Sequence, residues 1–290
     1  FLSYLFGVLG FLKLFNKVDF VYCFYPNSFA PLLLFCRFFR KDYGIYLRGQ
    51  NNITSNLSNF LYKNAKFITT ISPAFTSLVK KYNDNSFTIS PMIGFNYNDI
   101  VIDRKYFSSG KIRLLFIGRV EKEKGIFELI ESIIMLHKMG YYNFVLNIIG
   151  TGKDLPLIKA LILNNGLLNM VFLHGNISNN DLIKDFYMKS DIFLLPTYHE
   201  GFPRVIYESM IFRVLVVTTF VGSIPDLMIN GHNCLRIDVK NSQSIVNVLK
   251  ILFSDFHSFD FLLSNASDTV KDYLRSNQLS HSDIVKRFIY

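Results

Sequence analysis

Two carboxylates, Glu200 and Glu208, stand eight residues apart in the stretch Glu200-Gly201-Phe202-Pro203-Arg204-Val205-Ile206-Tyr207-Glu208. An ionised carboxylate only accepts hydrogen bonds, so neither is a natural phosphate ligand, but each suits the paired hydroxyls of a sugar. The apolar run Ile192-Phe193-Leu194-Leu195 just upstream ends at Pro196 and predicts a buried strand. Pro203 fits the first turn of a helix, where its missing N–H costs nothing. The order strand, loop, helix places Glu200 on the loop and Glu208 on the helix's second turn. In a parallel α/β sheet, ligands sit beyond the carboxyl ends of the strands, against helix N-termini whose free N–H groups attract phosphate. Sugar-binding acids in a phosphate-binding place point to a nucleotide sugar.

Three other loops fall at predicted strand ends. In Gly118-Arg119-Val120-Glu121-Lys122-Glu123-Lys124-Gly125, a glycine lets a ligand approach the backbone, and Arg119 and Lys124 can bracket a diphosphate. A departing nucleoside diphosphate gains negative charge, so the two cations would favour the transition state over the ground state. Gly150-Thr151-Gly152 gives backbone clearance. His174-Gly175-Asn176-Ile177 could set main-chain groups against a base edge, although a lone His174 reads first as structural. Gly222-Ser223-Ile224-Pro225-Asp226 completes the series.

Positioning these loops requires a regular scaffold. Helix and strand signals alternate from Leu2 to Ser90, with Ser28 a candidate helix N-cap and Arg48-Gly49-Gln50 breaking the strand Tyr43–Leu47. Residues 91–110 lose periodicity and read as a junction. Alternation resumes with strands expected at 112–117, 144–149, 171–173, 191–195 and 214–218. A helix is predicted from Gly125 to Met139, with Phe127, Ile130, Ile133, Ile134 and His137 on its stripe. From Ser242 the chain reads as helical. The expected architecture is two Rossmann-like α/β domains facing one cleft, residues 1–110 and residues 111–290.

Composition limits the partners. Half of the 290 residues are hydrophobic, which excludes a disordered chain. Cys23, Cys36 and Cys234 are few, widely spaced and set among apolar neighbours, as expected of buried thiols in a cytosolic protein. Residues 1–110 carry 12 Lys and Arg against 5 Asp and no Glu, whereas the rest carries 19 basic and 17 acidic groups. That basic, aromatic first part points to an anionic membrane surface; a basic surface without a specific partner is the plain alternative. No nucleic-acid motif or dense basic run is present. The apolar run 1–15 is too short to span a bilayer, and the chain opens on Phe1 in what reads as mid-domain, so the expected start lies upstream.

Residues 112–237 resemble the nucleotide-binding domain of family 4 retaining glycosyltransferases, which have the GT-B fold. The resemblance rests on Gly118-Arg119 with Lys124-Gly125, Ile149-Gly150-Thr151-Gly152, Phe172-Leu173-His174-Gly175, Glu200-Gly201-Phe202-Pro203 with Glu208, and Gly222–Asp226 followed by Asn230-Gly231. It implies transfer of a sugar from a nucleotide-sugar donor with retained configuration, usually without a metal. Arg119 and Lys124 would hold the diphosphate, and Glu200 with the backbone of Gly201, Phe202 and Pro203 would position the sugar. Glu208 would take the ribose hydroxyls, with Gly118, Gly150 and His174 completing the donor site. Many members carry a histidine where Arg48-Gly49-Gln50 stands, and begin with a strand and glycine-rich loop not seen here. The resemblance implies a cytoplasmic enzyme at the inner membrane face, extending a lipid-linked or oligosaccharide acceptor for lipopolysaccharide, O-antigen or capsule. A GT-B nucleotide-sugar epimerase and a non-catalytic nucleotide-sugar-binding protein are the alternatives.

Overall fold

The computed structural model describes residues 2–26, 30–47, 54–71, 73–89, 93–107, 110–201, 203–276 and 279–289, without the side chains of residues 2–5 and 276. Ser28, Arg48-Gly49-Gln50 and Phe202 therefore lie outside the described residues. By contact the chain divides into two compact units, residues 1–91 with 277–290, and residues 92–276.

The first unit runs α1 (Leu2–Phe15), β1 (Phe20–Tyr25), α2 (Leu33–Phe38), β2 (Asp42–Leu47), α3 (Asn56–Asn64), β3 (Phe67–Thr70), α4 (Pro73–Lys80) and β4 (Ser86–Thr88). Its four strands pair in parallel in the order β1-β2-β3-β4. All four residues of β3, two of them threonines, are buried, as in a parallel strand covered on both faces. Ser55 caps α3 by accepting from Ser58 N.

The second unit contains β5 (Ile112–Ile117), α5 (Ile126–Lys138), β6 (Phe144–Ile149), α6 (Leu155–Asn164), β7 (Val171–Leu173), α7 (Asn180–Lys189), β8 (Ile192–Leu195), α8 (Arg204–Ile211) and β9 (Leu215–Thr218). β10 (Leu235–Arg236), α9 (Ser242–Ser254) and α10 (Asp260–Ser276) follow. Six parallel strands lie in the order β10-β9-β8-β5-β6-β7. The chain builds outward from β5 on one side, then returns to lay β8 against the other side of β5. That junction is the topological switch point of a Rossmann-like sheet, where such folds bind ligands. The short β10 has no apolar run long enough to announce it.

Three features differ from the sequence expectation. On α5 the buried positions are Ile126, Leu129, Ile130, Ser132, Ile133 and Leu136, a stripe turned by one residue, so Phe127, Ile134 and His137 lie at its half-buried margin. Residues read as a junction form a strap on the second unit. Arg104 donates to the carbonyls of Tyr187, Met188, Ser190 and Phe212 at 2.7–3.1 Å, and Phe95 packs edge-on against Phe212. Finally, α11 (His281–Ile289) belongs to the first unit, where Phe288 packs on Phe67 and Phe87. Its Lys and Arg bring that unit to 12 basic residues against 4 Asp.

Cys36 and Cys234 are buried, and burial pushes their thiols up to about 11 and about 12 respectively. Cys23 is half-buried, because it sits on the edge strand β1. Among the described residues no helix is long and apolar enough to cross a membrane.

Candidate donor site

The loops leaving the carboxyl ends of β5, β6, β7, β8 and β9 are clipped together by their main chains. Gly150 N donates to Gly175 O (2.7 Å), Gly118 N to Ile149 O (3.0 Å) and Val120 N to Thr151 O (3.0 Å). Across the switch point, Tyr198 N and the Thr197 hydroxyl both donate to Glu123 O, at 2.8 and 3.2 Å. The Thr219 hydroxyl then donates to Thr197 O (2.6 Å). Thr197 and Tyr198 thus tie the cationic β5 loop to the acidic β8 loop. Sequence reasoning missed both, since isolated hydroxyls carry no motif.

Two glycines make this closeness possible. Gly150 has φ +138°, and a Cβ there would lie 1.8 Å from Gly118 O. Gly222 has φ +62°, and its Cβ would lie 1.6 Å from Glu200 O. Neither position admits another residue without moving the neighbouring backbone. Gly222 and the Ser223 hydroxyl, which donates to Gly201 O, therefore fix the main chain that carries Glu200.

Within this frame Lys124 Nζ lies 2.6 Å from Glu200 Oε2, and the two side chains are only 16% and 13% exposed. Arg119 is 65% exposed and pairs with Glu121 Oε2 at 2.6 Å. A cleft of about 210 Å³ opens at Arg119 between the β5, β6 and β7 loops, lined by Gly118, Arg119, Gly150, Thr151, Asn176 and Ile177 among others. Gly118, Arg119, Lys124, Gly150, Glu200 and Gly201 are thus gathered at one sheet edge.

Glu208 stands behind them on α8, where the fully buried Tyr187 donates its hydroxyl to Glu208 Oε2 at 2.9 Å. Burial pushes the Glu208 carboxyl above its usual range, against the lowering effects of Tyr187, Arg204 and the Gly94 N–H. Pro203 is the residue before α8, one position earlier than expected, and its carbonyl accepts from Ile206 N. His174 is drawn elsewhere. Its ring bonds Asn147 Oδ1 within β6 at 2.8 Å and packs on Phe186 of α7, while burial holds its pKa below the usual value. The main chain after it, through Gly175, is what meets the other loops. Among the described residues no three His, Cys, Asp or Glu side chains gather as they would around a metal ion.

A family model described as glycosyl transferases group 1 matches residues 100–258, just over half of the chain and every loop named above. The chain belongs to this family. Within it, the chain is similar to the capsular polysaccharide biosynthesis glycosyltransferase CapM of Staphylococcus aureus, 31% identical over 146 residues (48% of this chain, 36% of CapM). It is also similar to a Campylobacter jejuni N-acetyl-D-galactosaminyltransferase named for a glycan on PP-undecaprenol, 25% identical over 169 residues (58% of this chain, 45% of that one). The matched part spans between 31% and 45% of the length of three other curated relatives. Among solved structures, Anabaena HepE in complex with UDP-glucose has a TM-score of 0.74 at 17% identity, covering 97% of this chain and 80% of HepE. That likeness gives the fold: GT-B, two parallel α/β units of four and six strands.

Proposed function

We propose that this glycosyl transferases group 1 member transfers a sugar from a nucleotide-sugar donor, with retention, to a glycan or lipid-linked acceptor in bacterial surface polysaccharide synthesis. The observation that carries the reading is the Lys124–Glu200 pair at the switch point of the second sheet. Each side chain satisfies the other. An arriving diphosphate competes for the Lys124 ammonium, and Glu200 is then released to accept a hydroxyl of the donor sugar. Arg119, on the exposed rim, reaches the same diphosphate. As the bond from C1 to the phosphate oxygen breaks, its electron pair leaves with the diphosphate, and both cations stabilise the charge that accumulates there. Glu208, held by Tyr187, takes the ribose hydroxyls, and the backbone of Gly118 and Gly150 allows close approach of the donor. The backbone of Gly201 and Pro203 lines the sugar's place.

The likeness to CapM supports a surface polysaccharide as the product class, and the C. jejuni relative supports a lipid-linked acceptor. The UDP-glucose complex of HepE makes UDP-sugars the first donors to try. A thermal-shift screen against UDP-, GDP- and ADP-sugars tests the reading, because a ligand that binds only the native state raises its apparent stability. One nucleotide class should raise the midpoint, and Glu208→Ala should remove the rise. No response to any nucleotide sugar would refute the donor site. An isomerised sugar formed without acceptor would replace transfer by epimerisation.

A further inference from the structure

The β8 loop grips the turn that carries Lys124 from both sides. Before Lys124, Glu123 O accepts from Tyr198 N and from the Thr197 hydroxyl. After it, Gly125 comes so close to Pro196 that a Cβ there would lie 2.0 Å from Pro196 O. The neighbours of Lys124 are therefore both held by residues 196–198, just ahead of Glu200. One side chain of this loop reaches further. Tyr198, only 8% exposed, donates its hydroxyl to Glu128 Oε1 in the first turn of α5. Lys240, in the loop before α9, stands 5.0 Å from the centre of the same ring. The other carboxylate oxygen, Glu128 Oε2, is buried and finds no donor among the described residues. The phenol is thus what satisfies this acid. Burial and the Glu128 charge push the Tyr198 pKa up, so the hydroxyl stays a donor. Neither residue lines the cleft at Arg119.

We infer that the Tyr198–Glu128 contact positions the Lys124–Glu200 pair for the proposed transfer. Pinned to α5, the ring holds residues 197–200 down on the Lys124 turn and so fixes the ammonium and the carboxylate 2.6 Å apart. That spacing matters most while the bond to the diphosphate breaks, because the cation must then meet the growing charge as the acid keeps the sugar in place. Tyr198 and Glu128 touch no substrate atom. They are positioning residues, acting through the two that do. Donor affinity is spread over Arg119, Glu208 and the loop glycines, so the contact governs rate more than binding. This role rests on the reading of the site as that of a nucleotide-sugar transferase.

The probe is UDP-glucose, or GDP- or ADP-glucose where that one raises the unfolding midpoint instead. Release of nucleoside diphosphate gives the turnover, and calorimetry gives the affinity. Tyr198→Phe keeps the ring beside Lys240 and removes the hydroxyl. Turnover should fall about 10- to 100-fold, as for a small misplacement of reacting groups, while affinity stays near that of wild type. Glu128→Ala should cause the same loss, and the double variant no more than either single one, since both remove one contact. Glu128→Gln still offers an oxygen to the phenol and should keep most of the turnover. A contact that only supports folding would lower the unfolding midpoint and leave turnover per folded molecule unchanged. That result overturns the inference, as do additive losses in the double variant, or affinity lost in place of turnover. If wild type binds none of the three nucleotide sugars, the donor site fails and this role with it. Binding by wild type with turnover unaltered in the variants sinks the positioning role alone.

Discussion

Lys124 and Glu200, 76 residues apart in sequence, form a half-buried 2.6 Å ion pair between the loops that follow β5 and β8. These strands are neighbours in the sheet although β6 and β7 come between them in the chain. The pair therefore depends on the strand order, and under the proposed function it meets the charge of the leaving diphosphate.

Lys124→Met keeps the stem and removes the ammonium. The transfer rate should fall about 10²–10³-fold, as for loss of one preorganised donor at a developing charge. Stability should fall by about 1–3 kcal/mol, because Glu200 is left half-buried without its partner. Adding Glu200→Gln should recover most of the stability and none of the rate. Steady-state kinetics and thermal unfolding of the two single variants and the double variant check the coupling.

Glu208 gives a pH signature. Its folded pKa is raised by burial, so the cost of burying the charge is present above that pKa and is relieved as pH falls through it. The stability of wild type minus that of Glu208→Gln should rise on acidification, beginning above the ordinary carboxylate range, and level off below the unfolded pKa. Donor affinity should fall over the same interval as the carboxylate is protonated. Calorimetric titrations with the donor across this range, alongside unfolding curves, test both signs.

Gly222→Ala and Gly140→Ala separate crowding from backbone conformation. Both glycines have positive φ, but a Cβ at Gly222 meets Glu200 O at 1.6 Å whereas Gly140 has nothing within 4 Å. The Gly140 variant should lose about 1 kcal/mol. The Gly222 variant should lose distinctly more, together with nucleotide-sugar binding. Equal losses in thermal unfolding would show that the β9 loop does not hold Glu200.

Arg104 holds the strap to the second unit through four carbonyls. Arg104→Met should destabilise that unit by about 2–4 kcal/mol, by removing several charge-assisted hydrogen bonds at once. Arg104→Lys should restore only part of this, since a point-like ammonium cannot span four acceptors. Denaturant titrations report both values.

Read alone, the chain shows its alternating elements, because a parallel strand covered on both faces must be apolar along its length. Ile112–Ile117, Phe144–Ile149 and Val171–Leu173 appear in the structure with those bounds. The glycines and charges after the strands are equally visible, since a close backbone approach leaves few residue choices. Other features depend on partners remote in sequence. Arg104 shows no local signal, and its acceptors are carbonyls 83 or more residues away. The buried stripe of α5 is turned by one residue from the expected one because Phe127, Ile134 and His137 satisfy the helical period nearly as well as Leu129 and Leu136 do. α11 gives no sign that it joins the first unit until Phe288 meets Phe67 and Phe87. His174 lies on a motif loop, yet its ring turns to Asn147. Local composition thus determined the strands, the helices and the chemistry of the loops. Tertiary structure alone decided which loops face each other, because strand order is set by the burial of whole helices and strands, and that free energy is spread over residues far apart in the chain.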